Sequence, residues 1–145
     1  MAEITCTRRI QFCAGHRVHK HESRCNSMHG HNYVALFEAR CIGGGLDSLG
    51  RVIDFSVLKE RLGGWIDRNW DHGFIHHDAD TEVAAAVAAV GGTKGYALPY
   101  NPTAENMARY LLNTVAPEAL AGTGVEVTEV LLWETENCYA RVRLG

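Results

Sequence analysis

No surplus of positive charge runs through this chain. Its 14 lysines and arginines are outnumbered by 17 aspartates and glutamates, for a net charge of -3 with histidine neutral. That balance offers little to grip a phosphate backbone, which excludes nucleic acid as a first partner. Long apolar runs are missing as well: 46% of the residues are hydrophobic, yet none of the stretches approaches the roughly 20 residues of a membrane span. A membrane is therefore not expected as a partner. The opening residues Met1 to Arg9 lack the basic-then-apolar order of a secretory leader, so a cytoplasmic location is the expectation. Five cysteines, an odd number without C-x-x-C spacing, exclude a disulfide framework and a four-thiolate structural zinc site.

Histidine, by contrast, is plentiful. Eight occur in 145 residues, and His16, His19, His21, His29, His31 and His72 all lie among other polar, chemically able side chains, which leans the composition toward metal. The length suits one domain, residues 1–145, around a single core.

Periodicity orders the chain. Residues 3–13 alternate Ile4, Cys6, Arg8, Ile10 and Phe12 against polar partners, a strand ending near Gly15. Residues 17–28 show neither helical nor strand period and form a loop between antiparallel neighbours. A second strand, 29–42, puts His29, His31, Tyr33, Ala35, Phe37 and Ala39 on one face and leaves the other half apolar, so both faces need cover. Asp54 reads as the cap of a helix carrying Phe55, Leu58, Leu62, Trp65 and Ile66, weakened in its middle by Gly63-Gly64. Residues 80–90 form an alanine-rich helix, and Asn101 or Thr103 caps a third that ends at Pro117 and Gly122. Strands 125–134 and 138–144 close the chain as a hairpin. Strand, strand, helices, strand, strand is the order of an α+β domain: an antiparallel sheet with helices packed on one face.

The chemistry centres on Cys25-Asn26-Ser27-Met28-His29-Gly30-His31. Two histidines one residue apart on a strand share a face, with Cα atoms about 6.5 Å apart. Both rings can then reach one metal ion, or both can simply be half-exposed sheet residues. His16, where the neighbouring strand gives out, is the better third ligand; His19 and His21 share the spacing but sit in an aperiodic loop. Three imidazoles leave a zinc ion one open position, which is what catalysis requires. Cys25 is either a small buried hydrophobe or a thiolate favoured by nearby positive charge. Asp71-His72 is either the orienting half of an acid/base relay or a helix-terminal histidine on the macrodipole. Glu134, at a strand end, is either an edge charge or a carboxylate that receives paired N–H bonds from a guanidine-like heterocycle.

In order along the chain, Phe12-Cys13-Ala14-Gly15-His16-Arg17, Cys25-x-x-x-His29-Gly30-His31, Val52-Ile53-Asp54-Phe55, Asp71-His72, Pro102-Thr103-x-Glu105-Asn106 and Trp133-Glu134-Thr135 resemble the 6-pyruvoyl tetrahydropterin synthase and 6-carboxytetrahydropterin synthase family. The resemblance spans positions 12 to 135. It implies the tunnelling T-fold, in which sheets of several subunits join into a barrel, commonly a homohexamer of two trimers with active sites between subunits. It implies zinc (Zn2+) on His16, His29 and His31, proton transfer by Cys25 with Asp71 and His72, and a pterin ring held by Glu134 with Thr103 and Glu105 nearby.

The implied substrate is a small-molecule pterin triphosphate, 7,8-dihydroneopterin triphosphate, transformed without an external redox cofactor. The expected product is 6-carboxy-5,6,7,8-tetrahydropterin, with acetaldehyde and triphosphate released, on the way to queuosine. The alternatives are the pyruvoyl branch, which eliminates triphosphate toward tetrahydrobiopterin, and a zinc-stabilised pterin-binding protein without turnover. Arg17, Lys20 and Arg24 are either triphosphate contacts or solvated loop charges. Residues 74–100 depart from compact members and are expected to be a helical insertion, with His76 and His77 on the surface.

Overall fold

The computed structural model describes residues 2–145. Alternation along the first two strands decides which way the sheet faces. In β1 (Cys6–His16), Ile10, Phe12, Ala14 and His16 are buried while Gln11 and Cys13 are exposed. In β2 (His29–Cys41), Tyr33, Ala35, Phe37 and Ala39 are fully enclosed on the face predicted from their spacing. The two strands pair antiparallel with Ile10 opposite Ala35 and His16 opposite His29. The ends of both strands thus bring imidazoles side by side.

Two helical segments cover that face. Residues 55–69 start at Asp54, whose carboxylate accepts from Ser56 N at 2.9 Å, as expected. Leu58, Leu62, Ile66 and the following Trp70 form the buried stripe, whereas Phe55 is exposed. The middle, Lys59–Gly63, is a π-turn. There Gly63 lies against β1, where a Cβ would stand in ordinary contact, 3.4 Å from the Ile10 side chain. Residues 104–119 pack Met107, Leu111, Leu112 and Val115 onto the same core. Of the two candidate caps it is Thr103 whose hydroxyl accepts, from Asn106 N at 3.1 Å. This segment continues past Pro117 to Ala119 rather than stopping there, because a π-turn at Leu111–Val115 restarts the helix and leaves the proline in its first turn.

The sheet has six strands in the order β4-β3-β1-β2-β5-β6. Beyond the expected strands, β3 (Gly73–His77) runs parallel to β1, and β4 (Gly95–Leu98) runs parallel to β3. The sheet is therefore mixed, not antiparallel throughout, and helices still pack on one face. Residues 74–100 are likewise not simply helical: the expected helix, Thr81–Ala89, is the crossover between β3 and β4. His76 on β3 is buried rather than at the surface. Strands of five and four residues are too short to show a period, which is why sequence pattern misses them.

β5 (Val125–Thr135) and β6 (Cys138–Arg143) form the predicted hairpin. Where β5 meets β2 the register shifts: Glu38 faces Glu129 but Ala39 faces Val127, so Thr128 is an extra residue. Its hydroxyl donates to the Glu38 carboxylate at 2.8 Å. A bulge of this kind reverses which side chains point inward. Val125 and Val127 are buried before it, Val130 and Leu132 after it. Glu134 continues the second phase and so faces the same side as Tyr33. Among the described residues no helix is long and apolar enough to cross a membrane.

Candidate metal centre and its surroundings

His16, His29 and His31 converge, with one ring nitrogen from each lying within 4.8 Å of the other two. His16 is all but inaccessible at 1% exposure, and the other two are half-buried. Strand register explains the convergence. His16 and His29 are direct cross-strand partners, and His31 lies two residues further along the same face.

The outer ring nitrogens are already committed. His16 Nδ1 lies 2.7 Å from the Pro102 carbonyl, and His29 Nδ1 lies 2.7 Å from the Ser27 carbonyl. A carbonyl can only accept, so both Nδ1 atoms carry a proton, and in the uncharged rings the Nε2 atoms are the ones that present lone pairs. Those two Nε2 atoms face each other at 3.0 Å. Two neutral lone pairs at that distance repel unless a proton or a cation lies between them. His31 Nε2 is buried without any hydrogen-bond partner. The Glu134 carboxylate approaches it to 3.2 Å but without hydrogen-bond alignment. Nitrogens bound to one tetrahedral zinc lie about 3.3 Å apart for bonds of 2.0 to 2.1 Å. The donor set, its fixed tautomers and its orphaned nitrogen therefore fit a divalent metal of zinc type, with backbone carbonyls holding the rings from behind.

Burial favours the uncharged imidazole at His16, pulling its pKa down to about 4, with His29 and His31 adding to the effect against the Pro102 hydrogen bond. Burial also lowers His31, against the opposing pull of Glu134. Neutral rings are the metal-binding form. Tyr33 lies beneath them, fully enclosed, its hydroxyl 3.2 Å from His16 Nδ1. Burial pushes its pKa above the usual tyrosine range, with the neighbouring charges of Glu134 and Cys25 adding to it. Neither Tyr33 nor the carbonyls of Pro102 and Ser27 stood out in the sequence. A backbone acceptor has no residue signature, and a tyrosine on a core face looks like any other apolar residue.

The remaining candidates divide. Cys25 is half-buried in a short turn, Arg24–Asn26, of the loop that leads to His29, and its thiol is free. Thr103 serves as helix cap, one residue after the carbonyl that holds His16. Glu105 is exposed in the first turn of that helix. Asp71 and His72 form the expected pair, with His72 Nδ1 3.0 Å from the carboxylate. The Asp71 carboxylate also accepts from Cys13 N at 3.0 Å. Burial pushes the Asp71 pKa up, but the bonds from Cys13 and His72 outweigh it and hold the group below the ordinary value. His72 has a left-handed backbone, φ 58°, and a mostly exposed ring. Among the described residues no hydrogen bond or ion pair joins Asp71 or His72 to the three imidazoles. His72 instead borders a cleft lined mainly by Cys13, Gly15, Gly30 and Asn32, which alternate with His16, His29 and His31 and so face the other side of the sheet, although His31 also lines its edge.

Gly15 and Gly30 pair directly, next to the His16 and His29 pair. A Cβ on Gly30 would stand 3.0 Å from the Ala14 carbonyl oxygen, a backbone atom that cannot turn aside. Gly30→Ala is expected to cost about 1 to 3 kcal/mol of stability. Urea unfolding of metal-free protein measures this, and an unchanged midpoint would refute the close approach.

Residues 5–144 match the family described as 6-pyruvoyl tetrahydropterin synthase. The chain is 42% identical over 139 residues to a Rickettsia bellii protein named 6-carboxy-5,6,7,8-tetrahydropterin synthase, covering 96% of this chain and 99% of that one. A Haemophilus influenzae protein of the same name is 27% identical over 140 residues, covering 92% and 94%. Among solved structures, an uncharacterized protein from Wolinella succinogenes superposes with a TM-score of 0.81 at 22% identity, covering 98% of both chains. The 6-pyruvoyl tetrahydropterin synthase of Caenorhabditis elegans superposes with a TM-score of 0.68 at 25% identity, covering 100% of this chain and 98% of that one.

Proposed function

Because this chain belongs to the 6-pyruvoyl tetrahydropterin synthase family, we propose that it is a zinc-dependent lyase converting 7,8-dihydroneopterin triphosphate and water to 6-carboxy-5,6,7,8-tetrahydropterin, with release of acetaldehyde and triphosphate. The observation that carries the reading is the trio of converging imidazoles, two with Nε2 atoms 3.0 Å apart and one with a buried, unpartnered nitrogen. Zinc bound there would act as a Lewis acid on the side-chain hydroxyls of the substrate.

The protein's own groups supply the rest. Glu134 lies beside the metal ligands on the inward face, where its carboxylate can accept two N–H bonds from the amino-pyrimidine edge of a pterin. Cys25, in the loop that leads to the ligands, takes a proton from the substrate side chain and returns it. His72, oriented by Asp71, is the second proton carrier. Since that pair opens on the other face of the sheet, it serves the metal centre of a neighbouring subunit, in a cytoplasmic homohexamer built as a dimer of trimers. The half-apolar outer face of β2, with Val34 and Leu36 only partly covered within one chain, suits burial in such an assembly. Arg17 is engaged by Glu82 at 2.7 Å and Asp80 at 3.5 Å. The triphosphate is left to more open cations such as Lys20 and Arg24.

The carboxy branch, on the way to queuosine, is favoured over the pyruvoyl branch by the name carried by relatives at 42% identity. Incubating the zinc-loaded protein with the triphosphate and identifying products by mass is expected to give acetaldehyde and the 6-carboxy pterin. A 6-pyruvoyl product without acetaldehyde would move the chain to the other branch, and no conversion would leave only a binding role.

A further inference from the structure

Asp80 is a carboxylate with no exposure at all, supplied by the crossover between β3 and β4 rather than by any element that carries the metal ligands. Part of its work is local: Oδ1 accepts from Val83 N at 3.3 Å and caps the Thr81–Ala89 helix. A cap does not need to be buried, and an ionised carboxylate is enclosed at a cost that only other charges offset. The loop that follows His16 supplies that charge in Arg17 and places the His19 ring beside it. Arg17 Nε stands 3.5 Å from Asp80 Oδ2, and His19 Nδ1 stands 3.7 Å from Oδ1. Among the described residues Arg17 Nε, His19 Nδ1 and Asp80 Oδ2 are all buried without a hydrogen-bond partner, so these contacts are electrostatic.

A second grip acts on the same two turns of chain. The Asn101 side chain accepts from His19 N at 2.8 Å and donates to the His19 carbonyl at 3.1 Å. Between the two held residues lies Val18, whose N–H donates to the carbonyl of Cys25 at 2.8 Å. Val18 is therefore fixed on both sides, and it in turn ties down the turn that carries Cys25. We infer that Asp80, together with Asn101, is a positioning residue for the thiol of Cys25, acting through Arg17, His19 and the Val18–Cys25 backbone bond. This gives the β3–β4 crossover a role at the site: Asp80 holds the start of the loop that leaves β1 and carries Cys25.

The consequence for turnover rests on the proposed use of Cys25 in proton transfer, whereas the positioning itself does not, and the test keeps the two apart. Purified protein is treated with iodoacetamide under native conditions, and alkylation of each cysteine is followed by peptide mass mapping. Asp80→Asn keeps a capping side chain while removing the buried charge. Asn101→Ala, the second variant, removes the grip on His19 without touching Asp80. Each is expected to speed alkylation of Cys25 about tenfold, because the loop opens locally once its tether is lost. Cys6 and Cys41, half-buried in β1 and β2, serve as references and are expected to react at the parent rate, with zinc content unchanged. Equal acceleration at all three cysteines would mean general destabilisation and would overturn the inference, as would an unchanged rate at Cys25 in both variants. Should Asp80→Asn not fold, Asn101→Ala decides alone. Product formation, measured in parallel, is expected to fall in turnover number with little change in KM. A protein with no turnover in its parent form would sink the enzymatic reading while the alkylation result still judges the tether.

Discussion

Alanine in place of His29 is expected to weaken zinc binding roughly 100- to 1,000-fold, since the free energy of a zinc site of about 10 to 16 kcal/mol is shared among its ligands. Competition against a chromophoric chelator measures this directly. His29 is the most informative ligand to remove because it is half-exposed. Deleting its ring opens a notch to water instead of an enclosed void, so the metal-free fold should melt close to the parent. His16 provides the contrast. At 1% exposure, with Pro102 and Tyr33 bonded to its ring, its alanine variant should lose both the metal and about 2 to 4 kcal/mol of stability. The two variants together separate coordination from packing. Parent-like zinc affinity in His29→Ala would refute the three-imidazole site outright.

Single substitutions at Cys25 and His72 are each expected to lower turnover about a thousandfold, the usual order for a lost proton-transfer group, while zinc is retained. The more decisive result comes from combining them. Because Asp71 and His72 open on the opposite face of the sheet from the imidazoles, each working site would take Cys25 from one subunit and His72 from a neighbour. In oligomers assembled at random from Cys25→Ala and His72→Ala chains in equal amounts, about one site in four inherits both intact groups. Co-expression is therefore expected to restore roughly a quarter of parental activity, from two variants that are nearly inactive alone. If both groups served the same chain's site, mixing would restore nothing, and the intersubunit arrangement would be wrong.

Much of this site was readable from residue order. Alternation in 29–42 placed His29, His31 and Tyr33 on one face before any coordinates, since strand geometry leaves a side chain only two directions to point. That His16, at the end of the neighbouring strand, lies beside them follows because antiparallel neighbours joined by a loop bring such ends together. Asp54 and Thr103 were legible as caps for the same local reason: the acceptor and the amide that it serves lie two or three residues apart.

What the chain could not announce depends on contacts distant in sequence. β3 and β4 have too few residues for any period to emerge, and they exist as strands only because β1 offers an edge to β3 and β3 offers one to β4. The enclosure of Asp80, and the grip of Asn101 on His19 across 82 positions, arise only once the crossover and the 101–103 segment are folded against the loop. The clearest instance is Glu134. Counting by twos from Val125 and Val127 sends it outward, away from the histidines. One extra residue at Thr128 reverses that count and turns its carboxylate to within 3.2 Å of His31. Local spacing sets a strand's two faces, but which of them looks inward after a bulge is decided by the partner strand, whose register no stretch of β5 contains.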